Sequence, residues 1–154
     1  MMTLCSDVLN ALKGKTLATA ESCTGGGIGV ALTAVPGASD VFVGGVISYT
    51  NEIKNRILGV NQAVLDEFGA VSEPVAKAMA SGVRNLMKCD VAVSVTGLAG
   101  PGGDDFGNPV GTVFISYADE NQVFAKEYHF DGDRDSVRNQ AVRAALELIL
   151  EVSN

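Results

Sequence analysis

The stretch "ATAESCTGGGIGVAL", Ala18 to Leu32, sets Ser22, Cys23, Thr24 and four glycines between an apolar run and a resumed helical one. A strand-to-helix turn of this kind is where enzymes hold a phosphate or an oxyanion, because free backbone N–H groups gather there. A phosphate loop of the GxxxxGK[ST] type needs a lysine, and none lies between Lys15 and Lys54. A dinucleotide fingerprint fails where Val30 stands in place of a glycine. Two readings remain: Ser22 at the mouth of a helix N-terminus that serves chemistry, or Ser22 as a cap beside glycines that let the helix pack closely.

Working outward, "TLATAE" (16–21) is a short β run, and "GGGIGVALTAV" keeps helical spacing until Pro36 and Gly37 stop it. "VGGVISYT" (43–50) reads as a second strand, which completes a β-α-β unit. Before it, residues 3–13 form an amphipathic helix with Leu4, Val8 and Leu12 on one face. After it, "NEIKNRILGV" and "QAVLDEFG" are short helices. "SEPVAKAMASGVRNLM" is a longer one, with Ser72 as N-cap and Pro74 in the first turn. "CDVAVSVTG" (89–97) is apolar enough to be a central strand. "LAGPGGDDFGNP" (98–109) is a loop, "VGTVFISYA" and "QVFAKEYHF" alternate with period two as a hairpin, and "DRDSVRNQAVRAALELILEV" is a closing helix. That helix buries Val137, Ala141, Ala144 and Leu148.

Helical crossovers between the first three strands demand parallel pairing, and the hairpin then adds one antiparallel strand. The expected fold is an α/β three-layer α/β/α sandwich, in one domain, on a mixed five-stranded sheet that is mostly parallel with one antiparallel strand. Ligands of such sheets collect beyond the carboxyl ends of the parallel strands. "AESCTGG", "SYTNEIK", "VTGLAGPGG" and "HFDGDRD" all end there.

Composition narrows the function. The 154 residues are 47% hydrophobic and carry a net charge of −7, with no stripe of Lys and Arg, so nucleic acid is not an expected partner. Cys5, Cys23 and Cys89 are far apart and lack a CxxC pair, which suggests neither disulfides nor zinc and fits a reducing, cytoplasmic setting. No window approaches 18 apolar residues, so no membrane span is expected. His129 has no second histidine to share a metal and reads as structural, and "GGDDFG" reads as a solvated tip more readily than as a Mg²⁺ site.

At the sheet edge, Tyr49 and Lys54 form a pair with possible acid–base use: a lysine near a helix N-terminus is shifted toward its neutral form, and a phenol can relay its proton. Thr96 and Arg134 are ambiguous singly, the first as a strand-end hydrogen bonder, the second as an ion-pair partner of Asp131 or Asp135. Convergence changes their weight, because a serine with a lysine base requires neither histidine nor metal.

The blocks "AESCTGG", "PGASDVFVGGVISYTNEIK", "GAVSEPVA", "SVTGLAGPGG", "PVGTVF" and "GDRDSVRNQA", in that order over residues 8–150, resemble the CinA C-terminal domain family, whose active members are nicotinamide-nucleotide amidases. The resemblance implies deamidation of nicotinamide mononucleotide to nicotinate mononucleotide and ammonia, with no cofactor. It also implies a stand-alone form without the molybdopterin-binding-like domain of longer members, and a homo-oligomer is expected. Its functional positions fall on Ser22, Ser39, Tyr49, Lys54, Thr96 and Arg134, and Gly25, Gly26 and Gly97 stand beside them as substrate-binding candidates. Tyr49-Thr50-Asn51 departs from a Tyr-Ser-Asn pattern but keeps the hydroxyl.

On this reading neutral Lys54, with Tyr49 as relay, activates a serine. Amides near Gly25 and Gly26 hold the oxyanion or the phosphate, which Arg134 also suits. Topology favours Ser22 as nucleophile. Ser39 precedes the second strand, whose six steps of roughly 3.3 Å put it about 20 Å from Tyr49, unless a short helical turn or a neighbouring subunit brings it in. A non-catalytic nucleotide-binding module is the alternative, and a Mg²⁺-dependent phosphate-transfer enzyme a weaker third.

Overall fold

Three of the five strands are apolar almost throughout, and that property decides where they lie. Strand β1 (Leu17–Glu21), β3 (Val91–Gly97) and β4 (Thr112–Ala118) are buried at nearly every position, whereas β2 (Phe42–Ile47) and β5 (Val123–His129) alternate or stay exposed. Central strands have both faces covered and edge strands do not. The sheet order is accordingly β2-β1-β3-β4-β5 in the computed structural model, which describes all residues from Met1 to Asn154.

β1 runs parallel to β2 and β3, and β4 runs antiparallel to β3 and β5, so β4 is the single reversed strand of the expected mixed sheet. On one face lie α1 (Met2–Ala11), α2 (Gly27–Thr33) and α6 (Arg134–Ser153). Their Val8, Ile28, Val137, Leu146 and Ile149 close a core with Val93, Val95 and Ile115 of the sheet. On the other lie α3 (Asn51–Arg56), α4 (Gln62–Phe68) and α5 (Glu73–Met87), where Leu65, Val75, Met79 and Val83 pack on Ala18, Ala20 and Ala92. No helix is long and apolar enough to cross a membrane.

Register positions the site. Glu21 pairs with Ile47 on one side and with Val95 on the other, so Ser22, Ser48 and Thr96 emerge at one level beyond the carboxyl ends. The Ser22 amide donates to the Val95 carbonyl at 3.0 Å and the Ser48 amide to the Glu21 carbonyl at 2.8 Å, which holds the three strand ends together.

Local details differ from the sequence expectation where side chains compete for backbone groups. The second strand stops at Ile47 because Thr50 caps α3, its Oγ1 accepting from the Ile53 amide at 3.3 Å. Ser72 occupies the N-cap of α5, yet its hydroxyl donates to the Gly69 carbonyl at 2.8 Å instead of capping the helix. Ala144 on α6 is half-buried, the fully buried stripe running instead through Val137, Ala141, Ala145 and Leu148. His129 lies on exposed β5 between Thr112 Oγ1 and Glu127 Oε2, both on the sheet.

Candidate functional site

Ser22 directly follows β1 and opens the turn into α2. Gly25 and Gly26 continue that turn with φ of +59° and +98°, a left-handed pair that residues with a Cβ adopt at a cost. The turn is tied from below by Glu21. Its carboxylate, 2% exposed, accepts from Thr24 Oγ1 at 2.7 Å and from the amides of Ile28 and Gly29 at 2.9 and 3.1 Å. The free amides of the α2 N-terminus are therefore occupied by the chain's own carboxylate. The Gly25 amide donates back to the Ser22 carbonyl at 3.1 Å. The expectation that amides around Gly25 and Gly26 receive an oxyanion or a phosphate is narrowed accordingly: the Gly25 amide is spent internally, whereas the Gly26 amide has no acceptor in the chain.

Lys54 arrives from the other side of the sheet edge. Although α3 is a short, outward helix, Lys54 is 1% exposed, with its Nζ 3.0 Å from Ser22 Oγ, 2.9 Å from the Ser48 carbonyl and 3.2 Å from the Tyr49 carbonyl. No carboxylate lies within ion-pair distance of it. Burial, partly offset by the neighbouring Cys23, lowers its pKa from the ordinary lysine value to about 8. Desolvation, rather than the dipole of a short helix, is the larger cause. The two carbonyls can only accept, so they retain N–H donors in either protonation state. The third position faces Ser22, and it holds a proton when Lys54 is charged and a lone pair when it is neutral. The titrating proton thus sits on the Ser22–Lys54 contact.

Cys23 also borders the cavity, but burial pushes its thiol up to about 11, against the weaker influences of its own amide, Arg138 and Lys54. A thiol so held is a poor source of thiolate at neutral pH. Ser22 is the better placed nucleophile.

Ser22, Tyr49, Lys54, Thr96, Gly97 and Arg134 share one cavity of about 570 Å³, roofed by the loop from Leu98 to Phe106. Their parts differ from those the sequence suggested. Tyr49 is 58% exposed and its hydroxyl accepts from Arg134 Nη2 at 3.2 Å, so only its carbonyl, not its phenol, touches Lys54. The relay role is corrected: the phenol lies toward the mouth. Arg134, at the first residue of α6, also donates from Nη1 to the Gly100 carbonyl at 2.8 Å and pairs with neither Asp131 nor Asp135. Thr96 donates its hydroxyl to the Ala70 carbonyl at 2.8 Å, which anchors the segment between α4 and α5. Gly97 allows β4 to approach, since a Cβ there would come within 2.9 Å of the Thr112 carbonyl oxygen.

Ser39 is not in this cavity. It sits exposed on a 3-10 turn, Ala38–Asp40, ahead of β2 at the opposite end of the sheet, and the short turn does not carry it across. Within one chain Ser39 does not reach Lys54, and of the two serines Ser22 alone contacts it.

Asp104 of the acidic loop is engaged in loop structure: Oδ1 accepts from the Phe106 and Asn108 amides, and Oδ2 from Asn108 Nδ2 at 2.8 Å. Three contributors escaped the sequence reading. Glu21 was legible only as the polar end of a strand. Ser48 supplies a carbonyl to Lys54, while its own hydroxyl is the one buried side-chain oxygen without a hydrogen-bond partner. Arg138, one helical turn beyond Arg134, donates from Nε to the Cys23 carbonyl at 3.0 Å and from Nη2 to the Thr24 carbonyl at 3.4 Å. Its i+4 spacing from Arg134 was the available signal.

Comparison with known proteins agrees with this architecture. A CinA-like protein of Gloeothece citriformis is 55% identical over 122 residues, 79% of this chain and 29% of that protein. One of Synechococcus is 48% identical over 149 residues, 94% of this chain and 36% of that protein. The chain thus spans about a third of the length of these curated relatives. Among solved structures, a competence-damaged protein (CinA) superfamily protein from Klebsiella pneumoniae matches with a TM-score of 0.96 at 35% identity, covering 99% of this chain and 96% of that one. The competence/damage inducible protein CihA from Agrobacterium tumefaciens matches at 0.94 and 38%, covering 99% and 95%. A family model described as the CinA C-terminal domain matches residues 2–153, and the chain belongs to that family.

Proposed function

We propose that this protein is a nicotinamide-nucleotide amidase, converting nicotinamide mononucleotide to nicotinate mononucleotide and ammonia without a metal. The observation that carries the reading is the buried Lys54–Ser22 contact at 3.0 Å, open to a cavity and free of any carboxylate. A binding module has little use for a desolvated lysine beside a serine hydroxyl. A base has every use for one, since its pKa of about 8 lies near neutral pH.

Neutral Lys54 takes the Ser22 proton as Oγ bonds to the carboxamide carbon. The tetrahedral intermediate collapses, the C–N bond breaks, and Lys54 returns the proton to the departing ammonia. Water then attacks the resulting ester and gives a proton to Lys54, which passes it back to Ser22 Oγ as the carboxylic acid leaves and ionises to solvent. Arg134, on the rim with Tyr49, is the guanidinium available to the 5′-phosphate.

The test is to incubate the purified protein with nicotinamide mononucleotide and measure ammonia with and without EDTA. Release in both sets supports the reading. Release that EDTA abolishes and a divalent ion restores excludes this mechanism, and absence of release from a folded, nucleotide-binding protein favours a non-catalytic module.

A further inference from the structure

A serine that attacks a carboxamide needs donors for the oxygen that turns anionic, and the turn leaves few. Ile28 and Gly29 give their amides to Glu21, Gly25 to Ser22 and Gly27 to Thr24. The amides of Cys23, Thr24 and Gly26 have no acceptor in the chain. Of these residues Cys23 lines the cavity and is bonded directly to Ser22.

The direction of those amides depends on where the neighbouring carbonyls point, because N–H and C=O of a trans peptide are antiparallel. The Ser22 carbonyl accepts from Gly25 inside the turn, which aims the Cys23 N–H outward. The Cys23 and Thr24 carbonyls are drawn the other way, onto the Arg138 guanidinium. Two left-handed glycines follow directly; Thr24 is held from below by Glu21 and by the Gly27 amide, and the Cys23 carbonyl is held by Arg138 alone. Arg138 is part-buried at this contact and makes no ion pair.

We propose that Arg138 is a positioning residue, which clamps the Cys23 and Thr24 carbonyls and so fixes the turn from Ser22 to Gly25, whose closing bond from the Gly25 amide to the Ser22 carbonyl orients the Cys23 amide for the oxyanion formed at Ser22. The proposal rests on the amidase reading and adds to it a residue that touches no substrate. Lysine offers one compact charge where arginine offers a fork of donors fitted to two carbonyls.

The experiment compares wild type, Arg138→Met and Arg138→Lys by steady-state kinetics on nicotinamide mononucleotide and by binding of pyridine-3-boronic acid. A boronate adds to a serine as a tetrahedral anion visible by ¹¹B NMR. Arg138→Met is expected to lower kcat about 10- to 100-fold, with KM within about threefold and boronate affinity falling in step with kcat. Arg138→Lys should recover part of both. Retention of wild-type kcat and boronate affinity by the Met variant overturns the proposal, as does a rise in KM alone. If the Met variant does not fold, the Lys variant decides by the same split. A wild type that forms the tetrahedral adduct but releases no ammonia sinks the amidase reading while the boronate affinities still judge Arg138. A wild type that forms no adduct sinks the proposal.

Discussion

Lys54 Nζ and Ser22 Oγ meet at 3.0 Å across the carboxyl ends of two parallel strands, in a setting where the lysine keeps no counter-ion. On the proposed mechanism these two groups share one proton, and the rate should follow the neutral fraction of Lys54. With its pKa near 8, kcat/KM is expected to rise about tenfold per pH unit below that value and to level above it. A pH–rate profile from 5.5 to 9.5 checks this, and a limb with its midpoint below 6 would assign the base elsewhere.

Removing either partner should separate chemistry from binding. Lys54→Met is expected to abolish turnover while calorimetry still detects the nucleotide, because phosphate capture is assigned to Arg134. Ser22→Ala should prevent labelling by a slow amide analogue. Mass spectrometry that finds the label on the peptide containing Ser39 would reverse the nucleophile assignment.

Burial of Lys54 also predicts how stability varies with pH. Its folded pKa is depressed to about 8 from 10.5, so between those values the unfolded chain binds more protons than the folded one, and stability rises with pH across that window. Below about 8 the penalty is fully present. Urea midpoints of wild type minus those of Lys54→Met should therefore climb between pH 8 and 10.5. At pH 7 the Met variant should be the more stable, by on the order of 1–3 kcal/mol.

On the rim, Arg134→Met should raise KM for the nucleotide about 10-fold or more with a smaller effect on kcat, since a charge-assisted contact to phosphate is worth roughly 1.5–3 kcal/mol. Tyr49→Phe, which loses one hydroxyl bonded to Arg134, should change kcat less than threefold. A kcat loss comparable to that of Lys54→Met would restore the phenol as a proton relay.

Ser39 offers a test of assembly. If Ser39→Ala is inactive, mixing it with Lys54→Met protein regains activity only if one subunit's turn completes another's cavity. If Ser39→Ala is fully active alone, the exposed serine has no part in the reaction.

The fold was readable because its signals were periodic and local. Apolar runs at β1 and β3, alternation across the β4–β5 hairpin, and glycine or proline at the stops gave the strand directions and the mixed character of the sheet, while the spatial order β2-β1-β3-β4-β5 came from the structure. Family motifs then marked Ser22, Lys54 and Arg134. Neither source gave the contacts that cross between elements. Nothing local in "TLATAE" distinguishes a carboxylate that faces solvent from one that turns under the next helix, yet Glu21 does the second. Tyr49 was misread for a related reason: neighbours in sequence at a strand end diverge once the backbone turns into α3, and the carbonyl rather than the phenol meets Lys54.

Glu21 also offers a stability contrast with Ser48. Glu21→Ala strands two amides and a hydroxyl below the turn and should cost about 2–4 kcal/mol, seen as a lower Tm. Ser48→Ala removes an unpartnered hydroxyl and should raise stability by up to about 1 kcal/mol, leaving the carbonyl that serves Lys54.

That carboxylate beneath the turn bears on what kind of compound can block the cavity. The chain has filled its own helix end with an anion, so an inhibitor built to seat a sulfonate or phosphate against those amides would compete with a tethered group already in place. Such a compound gains most by leaving that end alone. An electrophile that captures Ser22, joined to an anionic tail long enough to reach Arg134, exploits two positions where the chain has placed no anion of its own.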